Sequence, residues 1–122
     1  MTTVRYMVND VDEAVAFYRS RLGFGLVEQF GQVFAQMRHD ELTLWLAGAE
    51  SSAGRAMPDG TVPEPGRGWN RFVLETDDLA GWVGRLRDAG ATFRNDIVVG
   101  PGGSQILLED PSGNVVELFQ PR

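Results

Sequence analysis

The strongest constraint on this chain is that it repeats. Residues 3–10 (TVRYMVND) and 71–78 (RFVLETDD) are short runs rich in Val, Tyr, Phe and Leu, each ending in aspartate, at an offset of 68 residues. Their period near two is that of a strand. After Asp10, residues Val11, Ala14, Val15, Tyr18 and Leu22 are spaced as one face of an amphipathic helix. After Asp78, residues Leu79, Trp82, Val83 and Leu86 are spaced likewise, which places Trp82 in the core. At the same offset Val11 matches Leu79, Val15 matches Val83 and Tyr18 matches Leu86. Asp10 and Asp78 stand where an N-cap carboxylate accepts the first free helix amides, and Gly23 and Gly90 where a helix C-cap favours a left-handed residue.

Strands are expected near 25–30, 32–38 and 42–47 in the first half and near 92–98, 104–109 and 114–120 in the second. His39-Asp40-Glu41 reads as a hairpin turn that leaves His39 exposed. Asp110-Pro111-Ser112-Gly113-Asn114 is a second turn, and Gly100-Pro101-Gly102-Gly103 lacks the strand-then-helix context of a phosphate loop and is a third. Each half is β-α-β-β-β. The expected layout is one α+β domain, 1–122, with a module of about 1–47, a Gly, Pro and Ser-rich linker of about 48–68, and a second module of about 69–122. Neither half can bury a sheet face alone.

At 122 residues the chain is the length of one domain. It has no cysteine, so it carries no disulfide framework and no thiol chemistry. The first residues lack a long apolar run, so neither a signal peptide nor a membrane partner is expected, and the expected location is cytoplasmic. A formal charge of -6 offers no basic stripe and argues against nucleic acid.

Three segments resemble a known family: VNDVDEAVAFYRSRLGF, DDLAGWVGRLRDAGATF and GPGGSQILLEDPSGNVVELFQP. Together they resemble the vicinal-oxygen-chelate superfamily of glyoxalase I, extradiol dioxygenases, fosfomycin-resistance transferases and bleomycin-binding proteins. The resemblance implies two βαβββ modules whose strands form a cupped mixed sheet with the site inside, the glyoxalase/bleomycin-resistance fold. It also implies a homodimer, often with sites lined by both subunits. Function varies widely on such a fold.

The resemblance further implies metal ligands near the start of each module's first strand and on each module's last strand. Those positions hold Thr3, a residue among Thr43 to Trp45, Arg71 and Glu117. Threonine is a poor neutral donor, indole offers no lone pair and guanidinium is always cationic. No metal and no cofactor is therefore expected. Arg71 and Glu117 are expected to pair and neutralise the position instead.

Strand alternation sorts the remaining residues. Thr3, Arg5 and Met7 face away from the helices, as do Phe34, Gln36, Arg38, Thr43 and Trp45. In the second half Arg71, Val73, Glu75, Gln105, Leu107, Val115, Glu117 and Phe119 do the same. Their opposite-facing neighbours, among them Val33, Ala35, Met37 and Leu44, pack. Trp69 stands at the rim, either as a lid or dimer-contact aromatic or as an anchor for the linker. The candidate ligand site is thus Thr3, Arg5, Met7, Phe34, Gln36, Arg38, Trp45, Trp69, Arg71, Glu75, Gln105, Glu117 and Phe119. Aromatics with a few directed polar groups suit a small organic ligand, and three arginines against two glutamates do not favour a strongly cationic one.

The leading expectation is a metal-independent small-molecule binding protein that sequesters an aromatic or antibiotic-like natural product in a resistance or carrier role. The alternative is an enzyme of lyase, isomerase or dioxygenase type that uses Glu117 as general base with atypical or no metal ligands. A carboxylate facing a fixed cation is a weak base, which favours binding. A third reading is an interaction module.

Overall fold

The computed structural model describes residues 2–122 and divides the chain into two units. One contains the residues up to Arg67 together with Pro111–Asn114, the other Gly68–Asp110 with Val115–Arg122.

The first unit runs β1 (Thr2–Met7), α1 (Val11–Leu22), β2 (Gly25–Phe30), β3 (Phe34–His39) and β4 (Leu42–Ala47). Its sheet has the order β1-β4-β3-β2, with β1 parallel to β4 and the other pairs antiparallel. The parallel pair is possible because a helix and two further strands separate its members. The start of α1 is fixed twice. Asp10 Oδ1 accepts the Glu13 amide at 2.9 Å, and the Gln32 side-chain oxygen accepts the Val11 amide at 2.7 Å. The first of these bonds, then the Gln32 side-chain amide, hold the Asp10 carboxyl below its ordinary pKa. Gly23, at φ 76, ends the helix in the left-handed conformation that glycine adopts at little cost. Val11, Ala14, Val15, Tyr18 and Leu22 are buried, and α1 packs across β2, β3 and β4. Ala35, Met37, Leu44 and Leu46 meet it with no exposed surface. Each fully buried aliphatic of this kind contributes about 1.5–3 kcal/mol.

The second unit runs β5 (Arg71–Glu75), α2 (Leu79–Asp88), β6 (Thr92–Phe93), β7 (Val98–Val99), β8 (Gly103–Glu109) and β9 (Val115–Pro121). The order is β5-β9-β8-β6, with β7 also on β8, and β5 is parallel to β9. Asp78 caps α2 through the Gly81 amide at 3.1 Å, and the Gln120 side-chain oxygen takes the Leu79 amide at 2.8 Å. Each helix therefore borrows a glutamine for its first N–H. Phe72, Leu74, Leu79, Val83, Leu86, Ile106, Leu108, Val116 and Leu118 form this unit's core.

The structure corrects the sequence reading at several points. The strand expected at 92–98 is broken in two. The Asn95 side chain, rather than a backbone carbonyl, accepts the Leu107 amide at 2.9 Å, so the ladder stops and resumes at Val98. Strand β3 begins at Phe34 instead of residue 32. Val33 lies in the turn before it and is 42% exposed rather than packed. His39 belongs to the end of β3, and its ring lies 5.0 Å from the ring of Phe24, half-buried rather than exposed. Trp82 is half-buried, because Leu79, Val83 and Leu86 fill the helix face and leave the indole at its margin. The linker holds one turn of 3-10 helix, Ser52–Gly54, and the buried Ser51 hydroxyl donates to the Gly48 carbonyl at 2.7 Å.

Candidate functional site

The first unit's candidate residues lie on the sheet face away from α1, where the register sets them in rows. Thr3, Thr43 and Arg38 are successive register partners, as are Arg5, Trp45 and Gln36, then Met7, Ala47 and Phe34. On the β2 side a bulge between Leu26 and Glu28 adds a residue and puts Glu28 beside Gln36 and Phe30 beside Phe34. Alternation read from one strand cannot foresee that shift, so Glu28 and Phe30 escaped the sequence reading. The shift also sends Gln29 to the helix side, where its amide donates to Asp12 on α1 at 2.6 Å.

The middle of this face is an aromatic cluster with a cation on it. Phe34 meets Trp45 edge-on at 5.7 Å between centroids, and Phe30 lies 6.5 Å from Phe34. The Arg5 guanidinium carbon stands 4.9 Å from the centroid of the Trp45 ring. Trp45 Nε1 is buried and has no hydrogen-bond acceptor among the described residues. An orphaned donor of this kind costs about 1–3 kcal/mol relative to a satisfied one. Arg5 forms no salt bridge among the described residues. Thr3 and Arg38 are exposed, while Met7, Phe34, Gln36 and Trp45 are half-buried.

In the second unit Arg71 and Glu117 meet as expected. Arg71 Nε and Nη2 both donate to Glu117 Oε1, at 3.1 and 3.0 Å. The Glu117 side chain is 11% exposed and that of Arg71 28%, although the residue Arg71 counts as exposed because β5 is an edge strand. Glu117 Oε2 makes no hydrogen bond among the described residues. A second pair stands on the same face: Arg94 Nε donates to Glu109 Oε2 at 2.8 Å. The two guanidiniums also hold the chain that enters β5. Arg71 Nη1 donates to the Trp69 carbonyl at 3.0 Å and Arg94 Nη1 to the Gly68 carbonyl at 2.7 Å. Arg94 also covers the Trp69 ring at 4.7 Å. Trp69 is 65% exposed and is fastened from below. Arg94 and Glu109 carried no sequence signal, because Arg94 lies in the irregular stretch after β6. Glu75, Phe119 and Gln105 form a separate row one register step beyond Glu117.

These residues do not fit a divalent cation in either unit. The first unit offers Thr3 and Thr43, register partners with neutral hydroxyls. In the second, the only carboxylate at an implied ligand position is bonded to a guanidinium that repels a metal at short range. No group of three or more His, Cys, Asp or Glu residues able to hold a metal occurs among the described residues. No helix among them is long and apolar enough to cross a membrane.

A βαβββ unit and a βαββββ unit, the latter with its second strand broken in two, each with one capped helix on a mixed sheet and its polar and aromatic residues on the opposite face, define an α+β fold of the paired-module type. The chain belongs to the Glyoxalase/Bleomycin resistance protein/Dioxygenase superfamily, which it matches over residues 1–118. Among solved structures it is similar to lactoylglutathione lyase from Agrobacterium tumefaciens, at 24% identity and a TM-score of 0.76 over 98% of this chain and 92% of the other. It is also similar to TnmS3, an antibiotic binding protein from Streptomyces sp. CB03234, at 28% identity and a TM-score of 0.74 over 98% and 93%. The fosfomycin resistance protein FosX from Listeria monocytogenes shares the fold at 14% identity and a TM-score of 0.75 over 100% and 93%. No curated protein matches the sequence.

Proposed function

We propose that this protein captures a small planar organic molecule on the first unit's sheet face, as a sequestering or carrier protein of the antibiotic-resistance kind. The observation that carries the reading is the Arg5–Trp45–Phe34 cluster: a half-buried indole flanked by a second ring, with its N–H lacking an acceptor. A flat guest stacks on such a surface at small entropic cost, because the rings already hold one another. The half-buried Gln36 amide in the same row offers a hydrogen bond to a carbonyl or phenol oxygen on that guest. TnmS3, of similar fold and described as an antibiotic binding protein, supports the reading. The second unit's residues, Arg71, Glu75, Gln105, Glu117, Phe119 and Trp69, are read as candidate ligand contacts on that unit's own sheet face. The reading includes a homodimer in the cytosol, supported by the family resemblance and the lack of cysteine, and gel filtration tests the dimer.

The test is calorimetric titration of a panel of planar aromatic natural products into the parent protein and W45A. Loss of a central aromatic anchor costs about 2 kcal/mol or more, so a bound compound weakens about thirtyfold in W45A. Equal affinity in W45A, or no binding by any compound up to about millimolar concentration, would defeat the proposal.

One observation favours a second reading, that of an enzyme. Arg71 engages only Oε1 of Glu117, and Oε2 is open to accept a proton from a bound substrate. Turnover of a panel compound that stops in E117Q would select it.

A further inference from the structure

Resting on the capture reading above, we propose that the guest is an aromatic anion, a planar ring system bearing a carboxylate or phenolate, and that Arg5 determines this specificity. Arg5 is exposed, and no carboxylate lies within salt-bridge distance of it among the described residues. The other arginines on the two sheet faces, Arg38, Arg71 and Arg94, differ in that each has an interaction partner of its own. Arg71 is committed to Glu117 at 3.0 Å, and Arg94 covers Trp69 while bonded to Glu109 at 2.8 Å. Arg5 has only the Trp45 ring beneath it, at 4.9 Å. An arginine stacked on an indole keeps its N–H groups in the plane of the fork and free at the edge, so its charge is positioned without being neutralised.

The placement selects a shape of guest. Arg5 lies on β1, Trp45 on β4, Gln36 on β3 and Glu28 on β2, side by side in one register row. The row is therefore cationic at one end and anionic at the other, separated by roughly 14 Å, three inter-strand spacings. A ring system laid on Phe34 and the part of Trp45 that Arg5 leaves uncovered, with its acidic group toward β1, meets the guanidinium and keeps that group far from Glu28. A basic group in the same place would be repelled. The guanidinium also forms paired N–H contacts with the two oxygens of a carboxylate, which a neutral amide cannot match.

The experiment compares anthraquinone-2-carboxylate with anthraquinone-2-carboxamide, rings of the same size and shape that differ in charge. Calorimetry on the parent protein is expected to show the carboxylate bound roughly five- to tenfold more tightly, the range of a charge-assisted hydrogen bond at a partly screened site. R5Q should bring the two affinities together, and R5K should retain part of the preference. Raising salt should narrow the gap in the parent protein. Equal affinities in the parent protein, or a carboxylate preference that survives in R5Q, overturn the anion specificity and leave aromatic capture standing. If neither probe binds the parent protein, both readings fall. A preference lost in R5Q with circular dichroism unchanged, the carboxylate weakening by a larger factor than the carboxamide, upholds the assignment.

Discussion

Removing one partner of the Arg71–Glu117 pair should cost far more than removing both. Glu117→Leu deletes the acceptor of two guanidinium N–H groups, at 3.1 and 3.0 Å, and leaves a cation whose register partner is the buried, apolar Val115. Breaking a fully buried pair from one side costs about 3–5 kcal/mol, and breaking an exposed pair less than about 1 kcal/mol. The side chains here are 11% and 28% exposed, and Arg71 keeps its 3.0 Å bond to the Trp69 carbonyl. The expected loss is therefore intermediate, about 2 kcal/mol, or a fall of about 6–10 °C in Tm for a domain of this size. Arg71→Leu strands a better-shielded carboxylate and should cost at least as much. The double variant removes both charges and fills the space with apolar groups, and it should lie within about 1 kcal/mol of the parent. Urea denaturation of the four proteins, followed by circular dichroism, supplies the double-mutant cycle. Single variants as stable as the parent, or a double variant destabilised by the sum of the two, would refute the claim that each group is held in place by the other's charge.

Two further outcomes test the frame. The Asp10 carboxyl titrates below its ordinary value because it accepts the Glu13 amide and the Gln32 side chain. Its contribution is therefore present above the unfolded value and lost as pH falls through the folded one. D10N should lose less stability than the parent between about pH 4 and pH 2 in acid titration by circular dichroism, and parallel curves would show that the cap does not titrate with folding. Gly103→Ala should destabilise by about 2–4 kcal/mol, because a Cβ there collides with the Gln120 carbonyl oxygen, whereas Gly102→Ala meets open space and should cost less than about 1 kcal/mol. Thermal melts that fail to separate the two would contradict the packing at the start of β8.

Much of this protein was legible in its residues because the relevant physics is local. The 68-residue repeat, the apolar spacing after Asp10 and Asp78 and the capping aspartates fixed both helices, since a helix start depends on groups only a few residues apart. The pairing of Arg71 with Glu117 followed from a family resemblance, and the structure shows which atoms meet. Alternation along single strands placed Arg5, Gln36 and Trp45 on one face correctly. It failed where a second strand sets the register. The bulge at Val27 brings Glu28 and Phe30 to that face, and only the pairing of β2 with β3 reveals it. Asn95 breaks its strand because its amide reaches the Leu107 N–H, and Arg94 reaches Glu109 and the Gly68 carbonyl across the resulting gap. The cation on Trp45 and the orphaned indole N–H likewise belong to tertiary structure. Sequence can say that an arginine and a tryptophan share a face, but whether a side chain gains a partner or lacks one depends on atoms brought together from distant parts of the chain.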